Sequence, residues 1–159
     1  MLDLEKEVFI TLGCGNKFDP TKFEAPKNRP FFCKPFGGLW SSPENSTWGW
    51  RDWCEAENFW IDKINSSSFR FQLKPGSKVY TIDSPFDLIR IPHKIKTPLS
   101  CFGSDLIDFE IMAKEYDGIL LTVNGQSTTR FSDYEYGMSL YGWDCESLLV
   151  LRPDNVIEV

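Results

Sequence analysis

The run from Trp50 to Ile64 constrains this chain more than any other segment. Trp50, Trp53, Cys54, Trp60, Ile61 and Ile64 fall at the three-and-four spacing of a single helical face. Ser46 or Thr47 can cap its start, and Asn65-Ser66-Ser67-Ser68 ends it. Directly afterwards the period changes, because Phe69, Phe71 and Leu73 alternate with polar residues as a half-buried strand does. A chain that switches period over so short a distance sets a helix against a sheet. Glu57 falls on the apolar face and is read as an edge residue whose carboxylate reaches water.

The other segments are short. Val8 to Leu12 reads as a first strand closing on Gly13-Cys14-Gly15-Asn16, and Leu39 to Ser42 as a second. Between them Phe18 to Pro35 carries four prolines and reads as an irregular, ordered loop. Pro75-Gly76 turns the Phe69–Leu73 strand into Lys78–Ile82, and a mixed loop with Arg90 and His93 follows. Ser104 or Asp105 is positioned to cap a second helix running through Lys114. Ile119 to Val123 is a buried strand, Asn124-Gly125 a turn, and Ser147 to Leu151 a last apolar run. With no repeat or linker, residues 1–159 read as one α+β domain, in which short strands form a split mixed sheet with two main helices.

Composition narrows the function classes. The chain is 42% hydrophobic and 15% aromatic, which excludes a disordered polymer. A net charge of −6 disfavours broad electrostatic binding of nucleic acid. Lys17, Lys22, Lys27, Arg29 and Lys34 share one segment and are read as a solvated loop. The acidic amino terminus has no basic, then apolar, export pattern, and no stretch is long enough to span a membrane. Cys14, Cys33, Cys54, Cys101 and Cys145 are odd in number and dispersed, so reduced thiols and a cytoplasmic location are expected. With one histidine and no ligand pair at finger spacing, no metal site is expected.

Motifs that carry chemistry are few. No phosphate loop, dinucleotide fingerprint or nucleophile elbow is present. His93, in a charged loop, is read as an exposed or packing residue. In Cys33-Lys34-Pro35-Phe36-Gly37-Gly38-Leu39-Trp40-Ser41-Ser42-Pro43, the paired glycines remove side chains where a ligand can approach the backbone. Trp40 there offers a stacking face and Ser41 and Ser42 offer hydroxyls. The same residues also suit a glycine bulge entering an edge strand. Downstream, Asp144 and Glu146 precede a buried strand, a rigid platform for an acid or an ordinary acidic loop.

The order of these pieces resembles the ADP-ribosyltransferase fold of NAD-using toxins and transferases. The likeness runs from the glycine-ended first strand, through Gly37-Gly38-Leu39-Trp40-Ser41-Ser42 and Tyr116-Asp117-Gly118-Ile119, to an acid before the strand ending in Arg152-Pro153-Asp154-Asn155-Val156-Ile157. It implies a divergent member in which Thr11 and Gly13 hold the first-strand position, and Trp40, Ser41 and Ser42 the second. Glu146 would be the late acid that stabilises the oxocarbenium-like charge as nicotinamide leaves. Thr11-Leu12-Gly13 stands where that family carries histidine or arginine, Trp40 stands for tyrosine, and spacing to Pro153 puts the acid position nearer Ser147.

The resemblance therefore implies NAD as substrate. Trp40, Ser41 and Glu146 would act in catalysis, with Thr11, Gly13, Lys34, Gly37, Gly38, Leu39 and Ser42 around the nucleotide. The acceptor would be a macromolecule, a protein rather than nucleic acid given the charge, in a bacterial or phage setting as a toxin or effector. The alternatives are a non-catalytic nucleotide- or protein-binding module on the same fold, or an unrelated α+β interaction protein such as a phage-encoded inhibitor.

Overall fold

The computed structural model describes residues 3–96 and 104–159. Its centre is a seven-stranded mixed sheet of β1 (Phe9–Leu12), β4 (Leu39–Pro43), β5 (Ser68–Leu73), β6 (Val79–Ile82), β9 (Gly118–Leu121), β10 (Ser147–Val150) and β11 (Val156–Glu158). The order is β11-β5-β1-β4-β10-β9-β6, with every neighbour antiparallel except the parallel pair β6 and β9. The class is α+β.

The sheet is one hydrogen-bonded series, but it is barely joined at its middle. β1 pairs with β5 along its whole length, from Phe9↔Phe71 to Leu12↔Ser68. With β4 it pairs only at Phe9↔Pro43 and Ile10↔Ser42. Beyond Ile10 the ladder with β4 stops, so Thr11 and Leu12 on one side and Leu39 to Ser41 on the other part like a wedge. The strands thus form one mixed sheet, with a partial seam in place of the expected split.

Pleating sends alternate residues to opposite faces. On one face Phe9, Leu39, Phe69, Phe71, Leu73, Leu120, Leu148 and Val150 form a core covered by Leu4, Phe18 and Phe23. On the other, Ile82, Ile119, Leu121 and Leu149 pack with Leu88, Phe109, Met112 and Trp143. A separate small cluster of Leu12, Cys54 and Ile64 lies on the far side of the wedge, where Ile10, Trp50 and Ile61 cover it.

Among the described residues six short helices replace the two expected: α1 (Trp50–Ala56), α2 (Ile61–Ser66), α3 (Pro85–Ile89), α4 (Phe109–Glu115), α5 (Val123–Thr129) and α6 (Asp133–Tyr136). The tryptophan face belongs to two of them. α1 ends in a Schellman motif, with the Asn58 N–H donating to Glu55 O (3.3 Å) and the Phe59 N–H to Cys54 O (2.8 Å). Asn58 takes the left-handed φ of 52° that this ending requires, and Trp60 follows at 53°. Glu57 is exposed, as an edge carboxylate should be. The start is not capped by Ser46 or Thr47: Gly49 is the N-cap, Asp52 accepts its N–H (2.7 Å), and Ser42 accepts the Trp50 N–H (2.8 Å).

Other expectations fail for similar local reasons. Asn124-Gly125 lies inside α5, capped by Thr122, because a side chain at Gly125 would collide with the Ile82 carbonyl where helix and β6 cross. The helix expected from Ser104 or Asp105 begins later, with Asp108 accepting the Ile111 N–H (3.0 Å), while β8 (Leu106–Ile107) pairs with β7 (Lys94–Ile95). The proline-rich loop contains a hairpin of β2 (Lys27–Arg29) and β3 (Phe32–Phe36). Cys101 lies outside the described residues. Cys54 and Cys145 are buried free thiols, Cys33 is half-buried and Cys14 exposed.

Asp117 ties the sheet's far edge to the carboxy-terminal turn. Its carboxylate accepts the Lys78 N–H (2.6 Å) and the Asn155 amide (2.7 Å) and pairs with Arg152 (2.8 Å). Asp117→Ala leaves these donors unmet and should lower unfolding free energy by about 2 kcal/mol. Urea denaturation checks this, with Asp117→Asn losing less.

Candidate functional site

The wedge between β1 and β4 opens into a cleft of about 240 Å³ lined by Leu12, Cys14, Lys34, Trp40, Ser41, Trp50, Trp60 and Ser147. Each wall has a local cause. Trp40 leaves β4 with its edge against the buried Trp143, at 4.6 Å between centroids. Trp50 opens α1 and stacks on Trp53 at 4.9 Å, Trp53 meets Phe59 edge-on, and Phe59 stacks on Trp60 at 5.0 Å. That aromatic series holds Trp60 in place although 42% of it is exposed. Gly13 admits the Trp60 ring, since a Cβ there would lie 3.0 Å from it.

Lys34 reaches the cleft from β3, outside the large sheet. The indole N–H of Trp143 donates to the neighbouring Cys33 carbonyl (3.1 Å) and pins that strand to the core. The Lys34 ammonium lies over Trp40 (5.2 Å to the ring centre) and Trp50 (5.5 Å). Burial pushes its pKa below the usual lysine range, opposed by Asp144 and Cys145. Asp144 itself pairs with Arg130 (3.4 Å), and burial pushes the Cys145 thiol up to about 11. The cleft therefore carries a cation and no lining carboxylate.

The two lining serines have committed protons. Ser41 donates to Leu148 O (3.2 Å) and Ser147 to Cys145 O (2.9 Å), so both present lone pairs. Three aromatic walls, one cation and two acceptors suit a flat ring bearing an amine and an anion.

The sequence candidates separate into groups. Lys34, Trp40 and Ser41 line the cleft, and Gly13 backs it. Thr11 is fully buried and its hydroxyl donates to Phe69 O (3.5 Å), within the sheet. Gly37, Gly38 and Leu39 line a different, larger cavity of about 420 Å³ with Lys17, Phe18, Lys22 and Phe23. Cys14 borders both cavities. The paired glycines serve the backbone: φ is 72° and 69°, and a Cβ on Gly37 would lie 2.6 Å from Ala25 O. Sequence reasoning missed Leu12, Cys14, Trp50, Trp60 and Ser147 as lining.

Glu146 stands beside the cleft rather than in its lining. β4 and β10 are neighbours, and the Ser42 hydroxyl donates to the Glu146 carbonyl (2.7 Å). Its residue is 5% exposed, and the nearby Ser46 hydroxyl and Val123 N–H favour its charged form. Burial nevertheless raises its pKa. In the folded state Glu146 holds its proton to higher pH than in the unfolded chain. Its contribution to stability is therefore lost as pH rises from about 4.5 through the folded value. Glu146→Gln should raise the melting temperature at pH 7 and flatten that dependence, as thermal melts between pH 4 and 8 would record.

Among the described residues no cluster of histidine, cysteine, aspartate or glutamate could hold a metal, and no helix is long and apolar enough to cross a membrane. Compared with known proteins, the chain matches no family model, no curated protein and no solved structure.

Proposed function

We propose that this chain is an ADP-ribosyltransferase-like domain whose tryptophan cleft binds NAD or a related adenine nucleotide. One observation carries the reading. Where β1 and β4 part, three tryptophan faces and Lys34 converge on a space of about 240 Å³ beside β10. Stacking supplies affinity for a base, and a partly buried ammonium supplies it for phosphate. The adjacency of the first, second and late strands is what the resemblance requires of its site.

In the transferase form of this reading, the bond between ribose C1′ and the nicotinamide nitrogen breaks and nicotinamide leaves neutral. A nucleophile on the acceptor, a protein side chain, bonds to C1′ and gives its proton to water. Glu146 would stabilise the positive charge that develops on the ribose.

A second reading, binding without turnover, is favoured by one observation: Ser147 lines the cleft and Glu146 does not. Incubation with NAD and cell lysate separates the two. Turnover predicts consumption of NAD or label on a protein, lost in Glu146→Gln with the fold intact. Binding alone predicts a melting shift with NAD and no consumption. The absence of both effects would remove the proposal.

A further inference from the structure

We propose that the tryptophan cleft selects an uncharged planar ring carrying a nearby anion, so that it takes the adenosine phosphate end of a nucleotide and rejects a pyridinium ring. This rests on the reading of the cleft as a nucleotide site and specifies which ring enters it; it puts the nicotinamide ribose of NAD outside the cleft and so favours binding without turnover over the transferase form.

The reason is the resident cation. Lys34 already occupies the electron-rich space over Trp40 and Trp50, at 5.2 and 5.5 Å from the ring centres. Cations bind aromatic faces through the ring quadrupole, so a pyridinium entering beside them would compete with Lys34 for the same attraction. It would also meet the ammonium at close range in a partly dehydrated space, where like charges repel strongly. No carboxylate lines the cleft to offset either effect. Asp144, whose charge acts on Lys34, is engaged by Arg130 at 3.4 Å.

The polar lining agrees. Ser41 and Ser147 have given their protons to backbone carbonyls at 3.2 and 2.9 Å. With those protons engaged, the Ser41 oxygen, and the Ser147 oxygen beside the Cys145 thiol (3.7 Å), have acceptor capacity for an exocyclic amine such as that of adenine. At about 240 Å³ the space fits one base-sized ring rather than a whole dinucleotide. An anion on that ring's ribose would complete the pairing of an ammonium whose protonated form burial disfavours.

The test compares AMP, adenosine and nicotinamide mononucleotide, which carries a phosphate and a cationic ring, by tryptophan fluorescence on the full chain. AMP should bind at least about tenfold more tightly than either of the others. Lys34→Met should bring AMP down to the level of adenosine, and Lys34→Arg should keep the preference. Circular dichroism checks that each variant is folded, and the wild-type comparison stands without them. Nicotinamide mononucleotide binding as tightly as AMP would overturn the proposal. So would an AMP preference that survives in folded Lys34→Met. If all three bind equally, the charge selection is wrong but the cleft still takes rings. If none binds, the nucleotide reading falls with it.

Discussion

Trp143→Ala is expected to cost about 3–5 kcal/mol of unfolding free energy, the largest single loss we predict at a side chain. The indole is fully buried, edge-on to Trp40 at 4.6 Å and stacked over Phe109 at 6.3 Å. Truncation leaves a void beside Trp40 and Phe109, in the core that includes Ile119 and Leu149, which close packing cannot fill without moving the sheet. For a domain of this size the melting temperature should fall by roughly 10 °C. The consequence reaches the cleft, because the same indole N–H holds Cys33 and through it the strand bearing Lys34. Trp143→Phe keeps most of the ring but not that hydrogen bond. It should cost about 1–2 kcal/mol and weaken nucleotide binding by more than its stability loss alone explains. Calorimetry and fluorescence titration on the same samples measure both.

Trp60→Ala should weaken nucleotide binding by roughly 10- to 100-fold, the loss of one stacking face. Stability should change by less than about 1 kcal/mol, since much of the ring is exposed and its removal leaves no closed cavity. The contrast between a large affinity loss and a small stability loss distinguishes a ligand wall from a core residue. Phe31, 60% exposed and outside the cleft lining, is the control: Phe31→Ala should leave affinity unchanged.

The strands were readable because their signals are local. Phe69, Phe71 and Leu73 alternate and form β5 as expected; the run expected at 119–123 is β9 only as far as Leu121, since Val123 opens α5, and the run expected at 147–151 is β10 as far as Val150. The helices were less so, because short-range chemistry competes with periodicity. Trp50 to Ile64 keeps its spacing, yet Asn58 accepts a left-handed turn and divides the segment, and Trp60 becomes a cleft wall instead of a core residue. That asparagine before two aromatics was the available signal for a helix end. Asn124-Gly125 misled in the opposite direction: its glycine serves the approach of α5 to Ile82, 43 residues away, a contact that no local pattern encodes.

The site was legible in part for the same reason. Trp40, Ser41 and Lys34 could be named from one contiguous stretch, and they do line one cleft. Trp50, Trp60 and Ser147 join them only through the wedge between β1 and β4, a product of where strand pairing stops. Gly37 and Gly38 looked ligand-facing, but their positive φ, with Gly37 tight against the backbone at Glu24 and Ala25 and Gly38 against Leu149, gives them a sufficient structural reason.

The central claim is that a nucleotide ring enters the space between Trp40, Trp50 and Trp60. The most direct measurement follows the six indole N–H resonances by nuclear magnetic resonance while NAD or AMP is added. The signals of Trp40, Trp50 and Trp60 should move together and saturate. Those of Trp48 and Trp143, bonded to Asp144 O (3.0 Å) and Cys33 O (3.1 Å), should move least. Saturating shifts confined to other tryptophans, or no shift with either ligand, would contradict the account.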